Sequence, residues 1–192
     1  MKINIDIYKA IKYSFDSLYK KEIINSNTII VIPLLRYLIP DILKIRDRYN
    51  NKLVLVLYQS EIDKIPNDNN IEVITIPDMM DEDEIFLMAN DIKEEYVNSY
   101  LFNLEDNREY ENYYSKILAK ELNIDDNDIY IPYIYGGLFK GLSKYIKLLF
   151  DNKIIAINYR NKELNNDLDY DLVIRPNDKI DELKNIVISC NL

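Results

Sequence analysis

Ile129-Tyr-Ile-Pro-Tyr-Ile-Tyr-Gly-Gly-Leu-Phe-Lys-Gly-Leu-Ser-Lys-Tyr-Ile-Lys-Leu-Leu-Phe150 holds all three glycines of a 192-residue chain, Gly136, Gly137 and Gly141. A strand-like apolar run, Ile129 to Ile134, precedes the glycine pair. Leu138, Leu142, Tyr145, Ile146 and Leu149 then recur at helical spacing. Glycine admits positive φ and lets other groups approach the main chain closely. The pattern predicts a strand, a glycine turn and a helix from about Leu138, with Gly136 or Gly137 in a backbone conformation closed to other residues. A helix N-terminus placed there turns free N–H groups toward an anion. A tight turn with close helix–sheet packing accounts for the same glycines without a ligand.

Outward from this unit the chain repeats the alternation. Continuous apolar runs at 28–32, 52–58, 71–76, 153–158 and 185–189 read as strands, with a short one at 172–174. Amphipathic stretches separate most of them. Residues 4–24 carry Ile7, Ile11, Phe15, Leu18 and Tyr19 on one stripe. Pro40 suits the first turn of a helix bearing Ile42, Leu43, Ile45 and Tyr49. Asp81 to Glu84 open a helix with negative charge at the end the dipole prefers. Asp106 with Glu109 resembles a capping box for a helix running to Leu122. A short helix is expected at 178–184. Tyr100-Leu-Phe102 reads as a strand end or a loop. Continuous apolar strands alternating with helices predict an α/β fold in three layers, a mostly parallel sheet with helices on both faces. All six long strands are expected in one sheet. The expected organisation is a single domain spanning 1–192, or two small lobes of about 1–80 and 81–192.

Composition narrows the function classes. Hydrophobic residues make up 48% and charged residues 30%, the profile of a globular protein. A net charge of −9 offers no positive field to nucleic acid or to an anionic membrane, so neither is an expected partner. No histidine is present, which removes imidazole catalysis and imidazole metal sites. The single cysteine, Cys190, excludes an internal disulfide and a cysteine-rich metal centre. The N-terminal residues lack a signal-peptide pattern, and the longest apolar run, Ile29 to Leu35, is too short to span a bilayer. A cytoplasmic protein is expected.

The stretch from about Ile71 to Asn158 resembles the threonine synthase group of fold-type-II, pyridoxal-phosphate-dependent enzymes. Tyr96-Val-Asn-Ser-Tyr-Leu-Phe-Asn-Leu104 and the helical run after it are similar to that family's asparagine-rich loop before a long helix. Asp128 through the strand, the glycine pair, Gly141 and Leu142 resemble its strand, glycine loop and helix. Ile186-Val-Ile-Ser-Cys190 resembles its terminal strand, whose Ser or Thr contacts the cofactor's pyridine nitrogen. The resemblance therefore implies Gly136, Gly137 and Ser189 as cofactor-binding residues. It departs at the catalytic lysine. Where the family has a Ser-Phe-Lys-Asp-type motif, Ser14-Phe15 is followed by Asp16, and the nearest downstream lysines are Lys20 and Lys21. The family's Ser-Gly-Asn loop is replaced by Pro33-Leu34-Leu35-Arg36.

Other groupings read more simply. Lys140, Lys144 and Lys147 share one side of the helix after the glycines and form a solvated face, or else draw an anion toward the turn. The acidic clusters Asp81–Glu84 and Asp125–Asp128 suit capping and loop solvation better than a hard cation, and no metal is expected. Arg175-Pro176 is an anion clamp or a surface turn. The 17 tyrosines are core and interface residues. The sequence supports a threonine-synthase-like scaffold that binds a small anionic metabolite, is catalytically degenerate and takes no covalent cofactor. The alternatives are an active pyridoxal-phosphate lyase or synthase using Lys20 or Lys21, and a non-enzymatic interaction protein forming a homo-oligomer.

Overall fold

The computed structural model describes residues 2–34, 38–118, 128–134, 136–160, 164, 168–178 and 186–190. The chain divides into two compact units, Phe15–Asn103 and the combination of Met1–Ser14 with Leu104–Leu192.

The Phe15–Asn103 unit carries a four-stranded sheet in the order β4-β3-β2-β5. Its strands are β2 (Ile29–Pro33), β3 (Leu53–Tyr58), β4 (Ile71–Ile76) and β5 (Ser99–Leu101). All its pairings are parallel. Successive side chains of a strand point to opposite faces, and Leu53 to Leu57 are all buried, so both faces of β3 are covered. Edge strand β4 is half-exposed along most of its length. Helix α2 (Ile39–Arg48) begins with Pro40 in its first turn, where the missing N–H costs nothing. Helix α3 (Glu82–Glu95) starts on a reciprocal capping box. Asp81 accepts from the N–H groups of Asp83 and Glu84 at 2.8 and 3.1 Å, and Glu84 accepts from the Asp81 N–H at 2.8 Å. The loop before β2 is pinned by Asn51, whose amide donates to the carbonyls of Asn25 and Thr28, both at 2.7 Å.

The other unit carries a five-stranded sheet in the order β1-β9-β6-β7-β8. Its strands are β1 (Lys2–Ile5), β6 (Ile129–Tyr133), β7 (Ile154–Asn158), β8 (Leu172–Ile174) and β9 (Ile186–Cys190). These pairings are parallel too. The protein is thus α/β with parallel strands, as expected, but the six long strands form two sheets and not one. An apolar run shows that both faces are covered and says nothing about which strand lies beside it. β1 was missed because residues 4 and 5 were absorbed into the helical stripe; helix α1 runs from Ile7 to Lys20. Asn4 and Ile5 pair with Ser189 and Cys190.

Helix α4 (Arg108–Asn112) is capped by Asn107, which accepts from the N–H groups of Glu109 and Tyr110 at 3.0 and 3.1 Å. The expected Asp106 cap is one residue early. The helix continues as a π-helical segment, Tyr113–Leu118; the rest of the predicted 106–122 helix lies outside the described residues, as do 179–184. Among the described residues no helix is long and apolar enough to cross a membrane.

Candidate functional site at the carboxyl edge of the five-stranded sheet

Helix α5 spans Gly136–Leu149, two residues earlier than expected. No glycine has a positive φ. This corrects the prediction of a left-handed turn at Gly136 or Gly137. The glycines are required by proximity instead. A Cβ on Gly137 would lie 2.6 Å from the Leu104 carbonyl oxygen and 2.8 Å from Tyr110 Cδ1. A Cβ on Gly141 would lie 2.6 Å from the Glu111 carbonyl oxygen and 2.9 Å from Tyr114 Cβ. The glycine face of α5 therefore lets the chain from Leu104 to Tyr114 approach at backbone distance. Tyr110 and Tyr114 are fully buried in this contact, with the Tyr114 hydroxyl donating to that of Tyr110 at 3.0 Å.

The same approach delivers Glu105 to the start of α5. Its Oε2 accepts from the Gly136 N–H at 2.9 Å, while the Gly137 N–H donates to the Leu104 carbonyl at 3.2 Å. Two of the helix's free N–H groups are therefore satisfied by the chain itself. On its other side the carboxylate meets Arg160, with Nη1 to Oε1 at 2.5 Å, and the Tyr133 hydroxyl at 3.3 Å. Tyr133 is the last residue of β6, and Arg160 follows the end of β7, where the Asn158 side chain accepts its backbone N–H at 2.9 Å. These are the carboxyl ends of adjacent parallel strands, the place where open α/β sheets bind ligands. The Arg160 guanidinium lies 5.7 Å from the Tyr133 ring centroid. Its side chain is 3% exposed and that of Glu105 21%. The sequence reading missed this pair. Each is an ordinary charged residue in its own segment, and they stand 55 positions apart.

Burial, reinforced by the Glu105 charge and opposed by Arg160, pushes the Tyr133 phenol up to about 12. It therefore stays a neutral donor. A phenol that ionises later in the fold than in the unfolded chain stabilises the fold fully below about pH 10 and loses that contribution as pH rises toward about 12. Replacing Tyr133 with phenylalanine should flatten part of the alkaline unfolding curve. It should also remove one of the late-titrating phenols, which include those of Tyr49 and Tyr96, from an ultraviolet difference titration. An unchanged titration would place the perturbed phenol elsewhere.

The remaining predicted site residues lie on several elements. Ser189 lies on the same five-stranded sheet, where its hydroxyl donates to Asn4 Oδ1 at 2.5 Å. Lys20 and Lys21 are exposed at and after the end of α1, in the Phe15–Asn103 unit. Ser14-Phe15-Asp16 lies inside α1, not in a loop: Ser14 Oγ donates to the Ala10 carbonyl at 2.8 Å, and Asp16 accepts from the Tyr49 hydroxyl. Lys147 is ion-paired with Asp171 at 2.7 Å, well along α5 from its N-terminus. Arg175 and Asp178 close an exposed turn through the Arg175 N–H at 2.8 Å. Asp125–Asp128 falls mostly outside the described residues. Among the described residues no group of three potential metal ligands occurs.

With Glu105 in place, the N–H groups of Gly136 and Gly137 are accepted by its carboxylate and by the Leu104 carbonyl, so a cofactor phosphate would have to displace Glu105. A carboxylate already fills the anion position. At a separation of 4 Å and an effective dielectric near 20, each pair of like unit charges costs about 4 kcal/mol. Among the described residues no lysine is buried, and a lysine nucleophile needs desolvation or a cationic neighbour to lose its proton near neutrality.

No protein-family model and no curated protein matches the sequence. Solved structures do match the fold. A hydrogen sulfide-producing enzyme from Fusobacterium nucleatum is 16% identical with a TM-score of 0.65, the match covering 96% of this chain and 68% of that one. An O-acetylserine-dependent cystathionine beta-synthase from Helicobacter pylori is 17% identical with a TM-score of 0.65, covering 96% and 65%. An O-ureido-L-serine synthase is 11% identical with a TM-score of 0.66, covering 95% and 63%. This chain spans about two thirds of their length. At such identities the likeness is one of fold: the chain shares the α/β architecture of these solved structures.

Proposed function

We propose that this protein is a fold-type-II scaffold that binds a small anionic metabolite of the amino-acid type and does not perform lysine-based pyridoxal phosphate chemistry. The observation that carries the reading is the buried Arg160 guanidinium at the carboxyl edge of the five-stranded sheet, beside the N-terminus of α5. A buried cation and a helix N-terminus aimed at one point favour a compact anion. The structural neighbours include an O-acetylserine-dependent cystathionine beta-synthase and an O-ureido-L-serine synthase, which supports the ligand class. A threonine-synthase-like specificity rests on the sequence resemblance alone.

The test has two arms. Protein mixed with pyridoxal phosphate should develop no aldimine absorbance, and borohydride should trap no adduct at Lys20 or Lys21. A trapped lysine would restore the active lyase or synthase reading. In the second arm, calorimetric titration with serine, O-acetylserine and inorganic phosphate should detect binding that is lost when Arg160 becomes methionine. The absence of binding by any of the three anions or zwitterions would remove the metabolite reading.

A further inference from the structure

We infer that Glu105 is an intramolecular occupant of the anion position, a built-in competitor that must withdraw before any phosphate or carboxylate can bind there. The inference rests on the metabolite-binding reading and adds its regulation. Three donors from three segments converge on this one carboxylate: the Gly136 N–H at 2.9 Å, Arg160 Nη1 at 2.5 Å and the Tyr133 hydroxyl at 3.3 Å. Such a set suits a free oxyanion equally well. The carboxylate is supplied from Leu104–Glu105, two residues before the Asn107 cap of α4, and its side chain retains 21% exposure. It therefore has a route to water without disturbing the buried Tyr110 and Tyr114.

The energetic consequence follows from competition. A ligand that binds only the open state has its apparent affinity reduced by the fraction of molecules that are open. An occupant holding the site closed by ~10:1 thus weakens binding about tenfold. Removing the occupant removes that factor. It also takes the Glu105 carboxylate away from the buried Arg160, a loss that an added anion can offset. The wild-type protein should therefore respond weakly to inorganic phosphate, and a variant lacking the carboxylate should respond strongly.

The experiment compares wild type, Glu105→Ala and Glu105→Gln by calorimetry and thermal unfolding, with inorganic phosphate, pyridoxal phosphate and serine as separate probes. Glu105→Ala should bind phosphate at least tenfold more tightly than wild type, and phosphate should raise its unfolding temperature more than it raises that of the wild type. Glu105→Gln, which keeps the side chain's shape and discards its charge, should lie between them. Adding Arg160→Met to Glu105→Ala should abolish the gain. Stronger gains with phosphate than with serine would identify a phosphorylated ligand, and the reverse a carboxylate. Equal affinity of wild type and both Glu105 variants for a probe that does bind would overturn the inference while leaving the proposed function standing. No binding by any of the three proteins would overturn both. An unfolded Glu105→Ala leaves the comparison to Glu105→Gln, whose affinity must still exceed that of the wild type.

Discussion

Replacing Gly141 with alanine should destabilise the protein, although helix propensity favours the change. Alanine inside a helix is worth about 1 kcal/mol over glycine, and Gly141 sits within α5, five residues from its start. The added methyl would stand 2.6 Å from the Glu111 carbonyl oxygen and 2.9 Å from Tyr114 Cβ. Both obstacles are close to the main chain, so neither can rotate away. Overpacking of this kind costs about 1–3 kcal/mol, and sometimes more, so the propensity gain is overtaken. Gly137→Ala should behave alike, since its methyl would meet the Leu104 carbonyl oxygen at 2.6 Å. Denaturant unfolding of each variant checks this. A more stable Gly141→Ala would show that the chain from Leu104 to Tyr114 does not lie at backbone distance from α5, and the delivery of Glu105 to that helix would lose its basis.

Arg160→Met should carry the other large effect. It removes the ion-pair partner of a carboxylate that is 21% exposed at the edge of the sheet and that also accepts from the Gly136 N–H and the Tyr133 hydroxyl. Breaking a buried ion pair on one side costs about 3–5 kcal/mol. The residual exposure of Glu105 places the expected loss at the low end, about 3 kcal/mol. Replacing both members, with Glu105→Gln beside Arg160→Met, should cost less than the sum of the single changes, because no unpaired charge remains. Strict additivity in this double-mutant cycle would show that the two side chains do not interact in solution.

Local chemistry was readable because it depends on neighbours in the chain. The apolar runs located β2, β3, β4, β6 and β7 to within a residue at each end. Asp81 and Glu84 announced the start of α3, and the isolated glycines marked α5 as a place of close approach. The fold-type-II resemblance pointed to the architecture that the solved neighbours share. Three things needed the tertiary structure. The strands separate into two sheets because β1, from one end of the chain, pairs with β9, from the other. The glycines serve packing with ordinary backbone angles, which became visible only once Leu104, Tyr110 and Glu111 were seen against α5. The buried charge of Arg160 is met by Glu105, 55 residues away in sequence, at the end of a sheet that neither helps to form. Periodicity and propensity are short-range quantities. Pairing partners, interatomic clearance and the compensation of buried charge are set by segments distant in sequence, and only the folded chain decides them.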